Sequence, residues 1–355
     1  MAQRMTMVQL AQLARLDVST VSRALRGDAR RVSPATIERI RQLALQVGYL
    51  PDANAASLRS RRSHVLGMLV PDVTEVVLAT LFEAVSTAAI AEGYLTIVVS
   101  TRTDPERRRA GLHSFLSRRV DGVILADATL RGAAPEALAS SGTPFVMVLR
   151  PSGRYPSVAG DDVAGGRIAA EHLLDAGHRA MCVVGGQPGA STVRGRTQGF
   201  VRACRRAGVT VGASAIRHED FSVEGGYRAM LHVLEEPQRP SAVFAVNDYN
   251  AIGAARALQE KGAVVGRDVA LVGYNDLAIS SYLETPLTTV RVDHAVMGRE
   301  AVRLLLRRID GEETESVRLE PELVVRSSSA VVPGPTTGAG QRPGRACLAN
   351  SPRNS

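Results

Sequence analysis

Between residues 63 and 330 the chain alternates short apolar runs with longer segments whose apolar residues recur at helical spacing. The apolar runs predict buried strands, and they are HVLGMLV, YLTIVVS, DGVILA, PFVMVLR, AMCVVGG, SAVFAVN and DVALVGYN. The helical segments open at Asp104 with Pro105 or span 164–176, 223–234, 249–261 and 295–309. Repeated strand, helix, strand units predict parallel sheets covered by helices on both faces, and this length suits two such sheets.

The first fifty residues have a different pattern, that of three short helices. Thr6, Asp17 and Ser33 are of the residue types that cap helix N-termini, and Pro34 suits a first helical position. We expect the second helix to end near Arg26, before Gly27 and Asp28, and the third at Gly48. The predicted apolar faces are Met7, Leu10, Ala11, Leu13 and Ala14 in the first helix and Ile37, Ile40, Leu43, Ala44 and Val47 in the third.

The second helix, around STVSRALR (19–26), has a small apolar face and a polar one. Val21, Ala24 and Leu25 fall on one side, where they would pack against the first helix. The other side carries Ser19, Thr20, Ser22 and Arg23, with Val18 at the exposed first turn. Short polar side chains beside one arginine suit the DNA major groove, so the pair of helices is typical of a helix-turn-helix. A solvated amphipathic helix has similar spacing, and this alternative stays open on the pattern alone.

Charge separates the chain into the same parts. The formal net charge is +8; residues 1–62 contribute +7 through eleven arginines against four acidic residues, and the tail from 331 contributes +3. The body is therefore near neutral. A basic head on a neutral body is typical of a module that binds a polyanion, although a solubilising basic arm would have the same charge.

Several classes are disfavoured by what the sequence lacks. It has no apolar run long enough for a membrane span and no secretory signal at MAQRMTMVQL, so we expect a cytoplasmic protein. Three widely spaced cysteines suggest neither a disulfide framework nor a zinc site. GGQPGAST (185–192) lacks the lysine of a phosphate loop, and no HExxH or Gly-x-Ser-x-Gly motif occurs, so we predict neither catalysis, metal nor cofactor.

The order of these motifs resembles the LacI/GalR family of bacterial transcription regulators. The resemblance begins with LAQLARLDVSTVSRALRG, VSPATIERIRQLALQVGYLPDANAASLRS and VLGMLVPD. It continues through AEGY, DPERR, RRVDGVIL, AGH, GYRAM, VFAVND and TPLTTVRVD, and covers roughly residues 5–328. It implies an α/β protein: an all-α helix-turn-helix head at 1–50, a hinge at 51–62, and a two-lobed, periplasmic-binding-protein-like core at 63–330.

The resemblance also implies which residues meet DNA. The implied contact set is Thr6, Val18, Ser19, Thr20, Ser22, Arg23 and Arg26 in the head and Ala55, Leu58 and Arg59 in the hinge. Two residues depart from the family pattern: Arg15 stands in the turn where the family usually has glycine, and Arg26 stands where it has asparagine. Arg15 makes the turn less permissive, whereas Arg26 keeps or strengthens a phosphate contact.

The hinge PDANAASLRSRR (51–62) has almost no apolar face, so it should be largely unfolded alone in water. In the family this segment folds in the minor groove, where a leucine wedges between base pairs. Leu58 holds that position, and Arg59, Arg61 and Arg62 would neutralise phosphates beside it. The alternative is an ordinary charged linker with one incidental leucine.

A ligand cleft is expected where strands of the two lobes end, because open α/β sheets bind ligands at the carboxyl ends of their strands. By this rule the predicted effector contacts are Thr74, Val77 and Leu78 in the first lobe and Asp161, Asn247 and Asn275 in the second. The resemblance also implies Asn247 and Asn275, and it adds Arg196 and Phe221. Alternatives stay open for several of them. Arg196 could pair with a carboxylate, Phe221 could belong to the core, and Asn247 and Asp248 could cap a helix, with Asp248 the preferred cap.

The chemistry of the cleft departs from known subgroups at several positions. Asn275 replaces the aspartate of many sugar-responsive members, and Glu75 and Val76 replace the usual Asn and Pro. Ala190 lacks the basic side chain of a purine-responsive member. We expect a carbohydrate or a carbohydrate derivative as effector.

Together these features predict a homodimeric regulator, most simply a repressor, that binds a pseudo-palindromic DNA operator. The core divides into a first lobe of about 63–160 with 291–318 and a second of about 161–290 with 319–330. Residues 331–355 have the Pro, Gly and Ser content of a disordered tail. The rival class is a solute-binding receptor of a sugar transporter, which shares the two-lobed fold but has an export signal and no DNA-binding head.

Overall fold

Three short helices form the head in this computed structural model, which describes residues 5–49, 62–128, 133–153 and 155–330. They are α1 (Met7–Ala14), α2 (Val18–Leu25) and α3 (Pro34–Gln46). Their N-caps are the predicted Thr6, Asp17 and Ser33, each of which accepts a hydrogen bond from a backbone N–H of its first turn. The head encloses a small core around Leu10, Val21, Ala24 and Ile40, all fully buried.

The prediction that Leu13 belongs to the core of the head is wrong. Leu13 is 55% exposed. At 100° per residue it lies about 110° from the centre of the face formed by Met7, Leu10, Ala11 and Ala14, so it turns away from α2. The packing partners of α2 in α1 are therefore smaller than expected.

The first lobe is a six-stranded sheet in the order β11-β5-β4-β3-β1-β2, and every neighbouring pair in it is parallel. Its strands are β1 (Val65–Val70), β2 (Leu95–Ser100), β3 (Gly122–Leu125), β4 (Phe145–Val148), β5 (Ser157–Gly160) and β11 (Val317–Leu319). Its helices are α4 (Val76–Ala91), α5 (Pro105–Ser117), α6 (Ala134–Ser141) and α11 (His294–Ile309). Helices α4 and α11 pack together on one face.

The second lobe repeats this plan in the order β12-β10-β9-β8-β6-β7. Its strands are β6 (Met181–Val184), β7 (Ile216–Arg217), β8 (Ala242–Ala245), β9 (Ala270–Tyr274), β10 (Thr288–Arg291) and β12 (Glu322–Val324). Its helices are α7 (Asp162–Asp175), α8 (Ser191–Arg206), α9 (Val223–Leu234) and α10 (Asp248–Glu260). Only the edge pair β10 and β12 departs from the predicted parallel arrangement, because it is antiparallel.

The chain passes between the lobes after β5, after β10 and again between β11 and β12. The last two passages fall one residue beyond the predicted boundaries. Arg291 pairs with Glu322 in the second sheet, and Leu319 pairs with Gly160 in the first. These pairings extend each strand by one residue before the chain crosses.

Two helix pairs of the second lobe approach each other at reciprocal glycines. A Cβ atom on Gly166 of α7 would collide with the carbonyl oxygen of Arg196, and one on Gly199 of α8 with that of Val163. In the same way, a Cβ atom on Gly226 of α9 would collide with the backbone of Asn250 in α10, and one on Gly253 of α10 with the carbonyl oxygen of Val223 in α9. Backbone contact of this kind leaves no space for a side chain between the paired helices.

No helix in the described parts of the chain is both long and apolar enough to cross a membrane.

Candidate functional site

Helix α2 presents its polar face on the surface of the head. Val18 is 40% exposed and Ser19 is exposed, whereas Val21 and Ala24 on the opposite face are fully buried. Of the remaining residues predicted to meet DNA, Arg26 and Thr6 are exposed, and Thr20, Ser22 and Arg23 are half-buried. The structure thus leaves every head residue of this predicted set at least partly exposed.

Two of the caps stabilise the first turns of α1 and α2. The Asp17 carboxylate accepts a hydrogen bond from the Ser19 N–H at 2.8 Å, and hydrogen bonding to Ser19 lowers the pKa of Asp17. The Thr6 hydroxyl accepts from the Gln9 N–H at 3.3 Å, while the Gln9 side chain accepts from the Thr6 N–H at 2.9 Å. Thr6 therefore holds α1 in addition to the DNA role predicted for it.

The turn between α1 and α2 is left-handed at Arg15, with φ 54° and ψ 43°. Its N–H donates to the carbonyl of Gln12, and the Leu16 N–H donates to that of Ala11, so both carbonyls at the end of α1 are satisfied. A side chain at this conformation costs about 1–2 kcal/mol relative to glycine. The structure explains in this way why glycine is the usual residue there.

The basic side chains of the head are available to phosphates. Within residues 5–49, Arg23, Arg26, Arg30 and Arg31 form no salt bridge. The hinge residues Ala55, Leu58 and Arg59, and the tail 331–355, lie outside the described residues. Arg62, which ends the hinge, pairs with Asp310 of the first lobe at 2.6 Å.

A cleft between the lobes brings together six of the eight predicted effector contacts. Its lining includes Val77, Leu78, Arg196, Phe221, Asn247 and Asn275. Glu75, Leu149, Arg150 and Thr192 complete the lining. Glu75 carries no sequence signal beyond its departure from the family pattern, whereas Arg150 follows the end of β4, which is the signal that the strand-end rule uses. The cavity volume is about 30 Å³.

The other two predicted contacts, Thr74 and Asp161, are not part of this lining, because local structure uses both side chains. The N–H and hydroxyl of Thr74 donate to Asp72 at 2.9 and 2.8 Å. Asp161 caps α7 by accepting from the Ala164 N–H at 2.9 Å, and it lies 3.4 Å from Arg318. Neither residue reaches the cleft in this structure.

Arg196 is held from three sides inside the second lobe. Its guanidinium donates to Asp162 at 2.8 Å and to the carbonyl of Val246 at 2.7 Å. Its guanidinium carbon lies 3.6 Å from the centre of the Tyr274 ring. Arg196 therefore fits both interpretations made from the sequence. It lines the cleft, as expected of an effector contact, and it pairs with the carboxylate of Asp162.

Asn247 positions Phe221 while it caps α10. Its side-chain oxygen accepts from the Asn250 N–H at 2.7 Å, and its amide nitrogen donates to the carbonyl of Phe221 at 3.0 Å. The preference for Asp248 as the cap is wrong. Asp248 is the first helical residue, and it is fully buried among hydrogen-bond donors on Leu277, Ser280 and Thr289. Burial raises its pKa to about 6.

Asn275 follows β9 in a conformation that favours glycine, with φ 106°. Its N–H donates to the carbonyl of Val290 at 2.7 Å, which anchors the end of β9 to β10. Backbone strain of this kind is concentrated at binding sites and persists only when the surroundings fix it. The position of Asn275 in the cleft agrees with that association.

Comparison with known proteins assigns both parts of the chain. The profile of the bacterial regulatory proteins of the lacI family matches residues 6–52, and that of the periplasmic binding protein-like domain matches residues 170–329. The HTH-type transcriptional regulator CelR of Thermobifida fusca is 33% identical over 336 residues, which are 92% of this chain and 98% of CelR. This chain belongs to the LacI family.

Solved structures of LacI-family proteins extend the match to the fold. The transcriptional regulator CelR in complex with cellobiose covers 92% of this chain and all of its own, at 32% identity and a TM-score of 0.71. The lac repressor dimer bound to operator and an anti-inducer covers 93% of this chain and all of its own, at 26% identity and a TM-score of 0.83.

The family settles the class of function. The LacI-family relatives are DNA-binding transcriptional regulators, so the helix-turn-helix prediction is confirmed and the transport-receptor alternative is not favoured. The prediction that the chain is not an enzyme is confirmed by the same relatives.

Proposed function

We propose that this LacI-family regulator is a repressor that binds a pseudo-palindromic operator as a homodimer and responds to a small carbohydrate held between its lobes. The observation that carries the proposal is that one chain joins an accessible polar face of α2 to a two-lobed core with a polar cleft. Solved relatives support each partner, since the lac repressor was captured as a dimer on operator and CelR with cellobiose.

The exposed face of α2 suits base reading. Arg23 can donate two hydrogen bonds to guanine, while Ser19 and Val18 are small enough to meet base edges in the major groove. Two heads related by a twofold axis then read two half-sites, which gives the operator its pseudo-palindromic form. A protein that acts on chromosomal DNA works in the cytoplasm of a bacterium, and we propose that location here.

The cleft suits a ligand with hydroxyl groups. Asn247 and Asn275 offer donors and acceptors, Glu75 offers acceptors, and Phe221 offers a ring face for the apolar side of a sugar. The cavity of about 30 Å³ is far smaller than the several hundred Å³ typical of ligand pockets, so the lobes or their side chains must move to admit an effector. Such movement links ligand binding to DNA affinity through a difference in effector affinity between two states, with induction the favoured outcome.

The test is to select genomic fragments with the full-length protein and then to add a panel of mono- and disaccharides that includes ribose and cellobiose. We expect one or a few fragments with a twofold-related motif to be enriched, and one sugar to raise the thermal stability of the protein while it releases the fragment. Enrichment that does not exceed that of bulk DNA would overturn the operator proposal. Sugar binding without any preference for DNA would favour the transport-receptor reading.

A further inference from the structure

Arg150 connects the two lobes across the cleft. It follows β4 of the first lobe, and its guanidinium carbon lies 5.4 Å from the ring centre of Phe221, which precedes α9 of the second lobe. A guanidinium at this distance from an aromatic face is attracted by the negative face of the ring. The contact therefore joins the lobes directly, at the ring that we propose for the effector.

Within the described parts of the chain, Arg150 has no other partner, because no hydrogen bond or ion pair of its side chain is found there. Glu75 lies in the same lobe and lines the same cleft, and its carboxylate is likewise without a hydrogen bond or ion pair. Loss of hydration lowers the pKa of Arg150, and the nearby Glu75 charge opposes that shift. The two charges thus attract each other without forming a salt bridge.

The backbone before Arg150 is strained. Leu149 has φ 62°, and the Arg150 N–H donates to the carbonyl of Val148 at 2.6 Å, which closes the rarer, left-handed form of the γ-turn. A bulky side chain such as that of leucine is an outlier in this conformation. The Leu149 N–H donates to Val158 of β5, so the sheet holds the turn in place and carries Arg150 into the cleft.

The size of the cleft shows what Arg150 and its neighbours do to the site. The cavity volume of about 30 Å³ is far below the several hundred Å³ of typical ligand pockets, so no sugar fits while these side chains keep their present positions. The ring of Phe221 is covered by the guanidinium, and its face is open to a ligand only after Arg150 has moved. Glu75 is the carboxylate of the same lobe that is free to receive the displaced guanidinium.

We propose that Arg150 determines which effectors the cleft accepts, because it covers Phe221 and bridges the lobes until a ligand takes its place on the ring. This inference rests on the proposed function, since it concerns the effector of the same site. A ligand that takes the place of Arg150 must offer the Phe221 ring an apolar face, and its hydroxyl groups must form hydrogen bonds with Glu75 and with the displaced guanidinium. An uncharged carbohydrate meets these conditions, because its hydroxyl groups can donate to Glu75 and accept from Arg150 without adding a third charge to this pair.

The absence of tryptophan from the chain allows a direct test without any ligand. Phe221→Trp introduces a single indole at the covered ring, and acrylamide quenching of its fluorescence reports how open that ring is. We expect Arg150→Ala in the Phe221→Trp background to increase the quenching constant severalfold, because the covering group is gone. Arg107→Ala, which removes an exposed arginine of α5 in the same lobe, is the matched control and should leave quenching unchanged.

Hydrogen exchange checks the result in a chain with Phe221 intact. Arg150→Ala should accelerate exchange of the backbone amides around Phe221 in the full-length, ligand-free protein, and Arg107→Ala should not. Equal quenching and equal exchange in the two variants would overturn the proposal, provided that circular dichroism shows both to be folded. If Arg150→Ala does not fold, Arg150→Gln takes its place, because it removes the guanidinium, shortens the side chain and keeps it polar, and the same increases are expected. Since no sugar is used, a failed effector screen and a failed Arg150 test are separate results.

Discussion

The Nε of Arg196 lies 2.8 Å from the Oδ1 of Asp162, and both side chains are almost buried, with 7% and 12% exposed. Arg196 belongs to α8, which lines the cleft, and Asp162 belongs to α7, which begins directly after the first chain crossing between the lobes. The ion pair therefore joins these two helices. Burial of a charge is tolerated because the opposite charge is present, and removal of one partner leaves the other uncompensated.

We predict that Arg196→Ala lowers the free energy of unfolding by about 3–5 kcal/mol and abolishes the effector response. The double variant Arg196→Ala with Asp162→Ala should lose less than the sum of the single losses, because no lone charge remains. Urea unfolding of the four proteins measures this coupling. Arg167→Ala breaks an exposed pair with Glu171 and serves as the control, for which we expect a change of about 1 kcal/mol or less; additive losses for Arg196 and Asp162 would contradict the pairing argument.

Arg23→Ala is predicted to relax base preference at one operator position at a loss of about 1–3 kcal/mol, since a bidentate contact to guanine would be removed. Arg26→Ala should instead weaken binding by a similar factor on every sequence and reduce the salt dependence, as expected of a phosphate contact. Binding of both variants to a panel of operator mutants separates these outcomes. Uniform loss with Arg23→Ala would show that Arg23 does not read a base.

Leu58→Ala should reduce operator affinity much more than affinity for bulk DNA, because the apolar wedge that kinks the operator centre would be lost. The comparison is made by titrating labelled operator and a scrambled duplex at the same salt concentration. Ser57→Ala, a change in the same segment at a residue outside the predicted contact set, is the control. Unchanged operator affinity in Leu58→Ala would reject the wedge.

Arg15→Gly is predicted to stabilise the head by about 1 kcal/mol, because it relieves the left-handed conformation between α1 and α2. Gly27→Ala should have the opposite sign, since Gly27 has φ 73° and its added Cβ would lie 3.1 Å from the Arg41 side chain. Hydrogen exchange of amides in α1 and α2 of the full-length protein measures both. Faster exchange in Arg15→Gly would contradict the strain argument.

His294 gives the core a pH dependence of known sign. It is 8% exposed, and burial, aided by the charge of Arg196, lowers its pKa to about 4. His294 is protonated near pH 6.5 in the unfolded chain but only near pH 4 in the folded protein. The free energy of unfolding therefore falls by about 3 kcal/mol as the pH drops from about 6.5 to 4. His294→Gln should remove that part of the decline.

Chemical denaturation between pH 4 and 7 compares the wild-type protein, His294→Gln and the control His113→Gln, which changes an exposed residue of α5. The pKa of Asp248, raised to about 6, makes stability fall as pH rises from about 4 to 6. This opposing contribution is common to all three proteins, so their difference isolates His294. Identical profiles for wild-type and His294→Gln would contradict the prediction.

Local rules predict those parts of the fold whose signals are local. Helix α9 has the predicted bounds 223–234, because Ser222 caps it through the Gly225 N–H and a stripe of apolar residues follows. Helix α4 was not predicted, since VVLATLFEAVSTAAIA is apolar on nearly every side and shows no stripe. Helix α8 was not predicted either, because its buried face includes Arg196 and Gly199, residues that a stripe of apolar positions does not contain.

The candidate site shows the same division. Val77, Leu78, Phe221, Asn247 and Asn275 follow strand ends or match family positions, and they lie together as those rules require. Arg150 also follows a strand end, but its contact with Phe221 depends on the strained turn at Leu149 and on a ring in the other lobe, which no local pattern contains. Thr74 and Asp161 were misplaced because Asp72 and the first turn of α7 use their polar atoms.

The reciprocal glycines of the second lobe bear on how a signal leaves the cleft. Gly166 and Gly199 each lie against the backbone of the opposite helix, so α8 cannot slide against α7 without a collision. Gly226 and Gly253 hold α9 and α10 together in the same manner. A displacement of Arg196 or Phe221 by a ligand is therefore not taken up by relative motion of the paired helices. We therefore expect the second lobe to rotate as a rigid body about the three chain crossings, so that a small displacement at the effector becomes a larger one at the far end of the lobe.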